Sequence, residues 1–207
     1  MRISKLDIVY LALPLVLWPL SFIVLKSVFI YALSGSVLIL AALTIAFYRK
    51  NIVWVRGRSW IAVLIFGAAM AAVLYAVFVA GGAASSALGL QGYVSSVYAS
   101  IYGSQGRGAA TIALLALIGI CEEVYWRGGV QGYAGANVQR FAKAPWIAST
   151  AYYTLVHVAT LNPILVVAAF FVGLFTGLVA YKAGVLGSIA VHVIWIEMIV
   201  VLFPVVL

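Results

Sequence analysis

Apolar residues run along this chain in long blocks. They show neither the i, i+3, i+4 stripe of a water-facing helix nor the alternation of a half-buried strand. Seven blocks stand at or near the ~20 residues that a helix needs to cross a bilayer: about 8–25, 28–48, 60–80, 109–127, 146–161, 164–181 and 185–204. In lipid the backbone polar groups must bond within their own segment, which helices achieve. The blocks therefore predict an all-α, polytopic membrane bundle of about seven transmembrane helices, a single membrane domain over 1–207. Pro14 and Pro19 predict a kink in the first helix. Arg2 and Lys5 precede that block as they would in a signal peptide, but it is too long for one and no small-residue cleavage site follows directly.

Two stretches interrupt the blocks. Residues 81–108 are rich in glycine and serine and carry Tyr93, Tyr98 and Tyr102. They predict a flexible non-cytoplasmic loop with its tyrosines at headgroup level. Residues 128–144 (GGVQGYAGANVQRFAKA) predict an irregular cytoplasmic segment with a short interfacial helix. No internal repeat is visible, so an inverted-repeat transporter gains no support.

Composition excludes whole classes. The chain is 67% hydrophobic and only 8% charged, against about 25% charged in a soluble domain. Soluble, disordered and disulfide-stapled secreted proteins are all ruled out. The single Cys121 allows no internal disulfide and no multi-cysteine zinc site; among apolar neighbours it reads as an inert thiol. The net charge of +8 comes from cations scattered between apolar blocks, where they orient the chain and do not form a nucleic-acid surface. With a cytoplasmic N-terminus, Arg2, Lys5, Arg49, Lys50, Arg56, Arg58, Arg127, Arg140, Lys143 and Lys182 fall inside, and only Lys26 and Arg107 outside. This predicts N-in, C-out topology, in the cell membrane if the source is prokaryotic.

The acidic residues change the picture again. Of four carboxylates, only Asp7 lies at a membrane entrance; Glu122, Glu123 and Glu197 sit inside apolar blocks, as do both histidines, His157 and His192. Ionisable groups at such depth are costly, face the protein interior and usually mark function. Glu123 and Arg127 are four apart on one helix and predict an ion pair. Glu122 is left without a local partner. By helix rise, His192 lies ~10 Å and His157 ~16 Å from the cytoplasmic ends of their spans, and Glu122 is read near the cytoplasmic end of the fourth, or deeper if that helix continues past Gly128. The three are expected to line one water-holding cavity open to the cytoplasm, where a glutamate beside histidine can take a proton from water. Gly173 and Gly177 predict close helix packing.

The run CEEVYWRGG supplies Glu122-Glu123-x-x-x-Arg127, YTLVH supplies Tyr153-x-x-x-His157, and His192 follows on a third apolar segment. In order and spacing, residues 110–200 resemble the core of the CPBP intramembrane glutamic endopeptidases, that is, the CAAX prenyl proteases of the Ras-converting type and their Abi-like immunity relatives. The resemblance implies a metal-independent membrane protease acting on a membrane-embedded or lipidated peptide. Glu122 would activate water, His157 would assist, His192 would bind the developing oxyanion, and Arg127 would hold Glu123. Tyr153 stands where the family has phenylalanine, which keeps an aromatic wall. Ile196 stands where the family has an asparagine or aspartate beside the oxyanion, and Glu197 next to it is turned by about 100°. No cofactor is implied. Glu122, His157 and His192 also make a reasonable zinc set, a metalloendopeptidase-like alternative. Two other readings compete: a catalytically impaired peptide-binding or immunity protein, favoured by Ile196, and a proton- or ion-coupled transporter using the same buried groups.

Overall fold

The computed structural model describes residues 4–103 and 106–205, so Arg2 lies outside the described residues. All regular structure there is helical: α1 (Lys5–Pro19), α2 (Phe29–Phe47), α3 (Trp60–Ala87), α4 (Gln91–Tyr102), α5 (Ala109–Glu123), α6 (Gly132–Asn137), α7 (Pro145–His157), α8 (Pro163–Ala183) and α9 (Val185–Glu197). Three of these continue in wider π turns: α1 through Leu20–Val24, α5 through Val124–Gln131 into α6, and α9 through Met198–Leu202. The wide turn of the first helix begins directly after Pro19, whose ring nitrogen has no proton to give. Local signals set several helix starts. Ser4 and Asp7 form a capping box, Ser59 caps α3, and Asn162 caps α8 ahead of Pro163.

Six segments among the described residues are long and apolar enough to span a membrane: Lys5–Val24, Lys26–Phe47, Trp60–Ala87, Ala109–Asn137, Pro163–Ala183 and Val185–Leu202. The seventh expected span is the short helix α7, 13 residues long, or about 20 Å at helical rise. A short turn and the left-handed Leu161 end it early. Most of the loop expected at 81–108 is helical. Residues 81–87 extend α3, and 91–102 form α4. The fourth span does not stop at Arg127 but runs on to Asn137, with Gly128 and Gly129 buried inside it. Glycine lowers helix propensity only weakly against tertiary packing, and here the packing decides. Gly128 lies against Ile52, Gly129 against Tyr10 and Thr44, and Gly132 against Asn51.

In the C-terminal half, α9 packs on α3, α5 and α8, and α7 packs on α8. The expected close packing at Gly173 and Gly177 is this last contact: Gly173 meets Tyr153 and Thr150, and Gly177 meets Trp146, Gln131 and Thr150. The bundle has two distinct ends. At one, Tyr48 donates to Asp7 Oδ1 at 2.7 Å, and residues 53–56 pair with the α8–α9 turn through Val185 N to Val53 O and Arg56 N to Ala183 O. Gly184, at φ +95, turns that corner against Trp54. At the other end, α4 is fastened to the last turn of the chain and to the α7–α8 turn. Arg127, counted with the cytoplasmic cations, is instead buried between the helices.

The approach at Gly129 makes a testable point. A methyl group there collides with the Tyr10 hydroxyl and displaces it from Thr44, to which it is bonded at 2.8 Å. Gly129→Ala is expected to cost about 1–3 kcal/mol of stability, the usual penalty of overpacking. Thermal unfolding in detergent checks it, and an unchanged midpoint shows that the first two helices are free to move apart.

Candidate active site

The motif glutamates close α5, where the helix widens. Such π turns recur at functional sites, and this one carries Arg127. Glu123 is almost fully buried and accepts from two donors: Arg127 Nε at 3.2 Å and His192 Nδ1 at 2.9 Å. Arg127 also donates to Thr176 Oγ1 at 2.9 Å and to Ser149 Oγ at 2.6 Å. The expected Glu123–Arg127 pair is therefore present, and it is the hub of a buried network that ties α5 to α7, α8 and α9. Because Nδ1 of His192 is spent on Glu123, its other ring nitrogen is the one left for chemistry.

Glu122 points the other way. Its Oε2 accepts from the Tyr153 hydroxyl at 2.8 Å. The tyrosine in place of phenylalanine is thus more than a wall, since it orients the carboxylate. Arg127 also lies 5.4 Å over the Tyr153 ring, so one aromatic ring joins both glutamates' surroundings.

His157 closes α7 and is held inside the protein on both sides. Its Nε2 accepts from the Trp18 indole at 3.2 Å, and its Nδ1 faces the Tyr153 carbonyl at 2.7 Å. This pair of bonds requires the tautomer with the proton on Nδ1. Among the described residues, no hydrogen bond joins His157 directly to Glu122. Its ring packs on that of Tyr153 with centroids 4.5 Å apart, so it meets the glutamate through the tyrosine.

Glu122, Tyr153, His157 and His192 all line one cavity of about 650 Å³, and Ile196 lines it too. Glu197 does not line it, and among the described residues its Oε1 has no hydrogen-bond partner. Cys121 is buried and outside the cavity. The helix of Glu122 continues past Gly128, so the deeper of the two expected positions holds. Glu122 lies 13 residues after Ala109 in a helix that runs to Asn137, close to the middle. No group of three His, Cys, Asp or Glu side chains among the described residues is placed to hold a metal ion.

Trp18, Ser149 and Thr176 belong to this network and escape sequence reading. Trp18 is one aromatic among many in an apolar block. Small hydroxyls in helices commonly bond their own preceding carbonyl, as Thr176 does with Val172, and so give no outward signal.

No curated protein and no solved structure matches the chain. One family does: the model described as type II CAAX prenyl endopeptidase Rce1-like matches residues 105–196. That stretch begins just before α5 and ends on Ile196, and it contains Glu122, Glu123, Arg127, Tyr153, His157 and His192. Over residues 105–196, the stretch that carries Glu122, Glu123, Arg127, Tyr153, His157 and His192, the chain is therefore similar to the Rce1-like type II CAAX prenyl endopeptidases.

Proposed function

We propose that the protein is a metal-independent intramembrane endopeptidase in which Glu122 activates water for attack on a peptide carbonyl. The carrying observation is that Glu122, oriented by Tyr153, shares one cavity with His192, whose outer ring nitrogen is uncommitted. Glu122 takes a proton from water, and the oxygen adds to the carbonyl carbon. The carbonyl oxygen becomes an oxyanion beside His192 Nε2. When the C–N bond breaks, the proton on Glu122 passes to the leaving amine and the carboxylate is restored. With His192 protonated, Glu122, Glu123, Arg127 and His192 sum to zero charge, which suits a site of low dielectric. His157 acts as a positioning residue: its bond to the Tyr153 carbonyl and its tilted packing on that ring hold the tyrosine against Glu122. The test is incubation of the purified protein with apolar and lipidated peptides beside its Glu122→Gln variant. Cleavage by the wild type alone supports the reading; binding without cleavage by both proteins replaces it.

Ile196 favours a second reading, a peptide-binding protein that keeps the site without turning over. It lines the cavity beside His192 and offers no hydrogen bond. Ile196→Asn separates the two. In an enzyme short of one oxyanion donor, kcat rises by at most the ~10²–10³ that such a donor is worth. KM changes little, because the contact strengthens only as charge develops. A non-catalytic binder gains nothing.

A further inference from the structure

The cations of the chain gather at one end of the bundle. Lys5 opens α1 beside Asp7, which is bonded to Tyr48; Arg49 and Lys50 follow that tyrosine, and Arg56 pairs with the α8–α9 turn that Lys182 precedes. Arg58, Arg140 and Lys143 lie in the connections of the same end. Among the described cations, Lys26 and Arg107 lie at the other, and Arg127 is buried between the two. Such a bias keeps the rich end cytoplasmic.

The cavity leads toward the poor end. From Glu122 and His192 it runs to Gly92 and Tyr93 of α4 and to Asn162 of the α7–α8 turn. There α4 lies across its mouth, held by Tyr98 to the Ile199 carbonyl at 2.8 Å, by Tyr102 to the Val200 carbonyl, and by Asn162 to the Tyr93 carbonyl at 2.9 Å. In the opposite direction the path is shut. Every residue of Val124–Gln131 is buried, and the glycines at 128, 129 and 132 seat that turn directly on Ile52, Tyr10 and Asn51. A cytoplasm-facing cavity and a cytoplasmic cationic end, both expected from the sequence, therefore do not hold together in this fold.

We infer that the site is loaded from the non-cytoplasmic face, and that its substrate is an apolar segment of a membrane or exported polypeptide presented there. This rests on the hydrolytic reading of the cavity. The walls suit such a segment, being mostly aliphatic and aromatic between α2, α4 and α8. Among the described lining residues there is no Lys or Arg, which suits an uncharged stretch of chain.

Single-cysteine labelling tests the inference without needing turnover. Gly92 lines the mouth, and a Cβ added there meets nothing within 4 Å. Gln139 is exposed in the cationic connection between α6 and α7. Cys121, the one native cysteine, is buried and provides the unlabelled background. In intact cells, a membrane-impermeant maleimide is expected to label Gly92→Cys and to spare Gln139→Cys until the membrane is permeabilised. Labelling of Gln139→Cys in intact cells, or protection of Gly92→Cys until permeabilisation, overturns the inference. The same cells, given an apolar peptide with an impermeant fluorescent tag, are expected to cleave it when they express the wild type and not Glu122→Gln. Outside labelling without any cleavage condemns the hydrolytic reading alone; inside labelling with cleavage condemns the side of entry alone.

Discussion

Glu122→Gln is expected to lower peptide cleavage by about 10²–10⁴, the usual worth of a positioned general base, while leaving the fold intact. Glutamine keeps an oxygen for the Tyr153 hydroxyl, which donates to Glu122 Oε2 at 2.8 Å, so the local geometry survives. What disappears is the ability to take a proton from water and return it to the leaving amine. The loss corresponds to about 2.7–5.4 kcal/mol of transition-state stabilisation. It should appear in kcat, with substrate binding nearly unchanged. Thermal unfolding should be little altered, since the Tyr153 hydroxyl keeps its acceptor. A variant that cleaves at the wild-type rate removes Glu122 from the chemistry.

The second large effect falls on stability. Arg127→Ala deletes the cation that neutralises Glu123 at 3.2 Å and that also bonds Ser149 and Thr176. All these groups are buried. Removing one partner of a buried pair typically costs about 3–5 kcal/mol, because the remaining charge has no water to turn to. Arg127→Ala should therefore unfold at markedly lower temperature and also lose activity, as Glu123 no longer holds His192 in one orientation. Removing both charges, in Glu123→Gln with Arg127→Met, should recover much of the stability but not the activity. That split distinguishes the electrostatic account from simple loss of packing, in which the double variant is no better than the single one. An Arg127→Ala protein of wild-type stability would mean that the arginine contributes little to holding the four helices together.

Solvent and local spacing were enough to determine a large part of this protein. Blocks as long as a bilayer is thick, with almost no charge, leave the helix bundle as the sole arrangement that satisfies the backbone. The same cost of polarity in lipid made Glu122, Glu123, His157 and His192 conspicuous, and the four-residue step from Glu123 to Arg127 foretold their pairing. The rest depended on contacts between segments distant in sequence. When a helix is apolar on every face, hydropathy cannot tell the face against protein from the face against lipid, so nothing local marked Trp18 as the residue that occupies His157. The glycine-rich stretch after Arg127 reads as irregular because propensity is a local quantity; it is helical where neighbours such as Tyr10 and Asn51 sit close against it. Ile196 faces the cavity and Glu197 does not, a distinction set by how α9 is rotated in its packing on α3, α5 and α8. The end toward which the cavity leads was also invisible in the chain, because depth along a helix is encoded in the sequence whereas the void between helices exists only once they are packed.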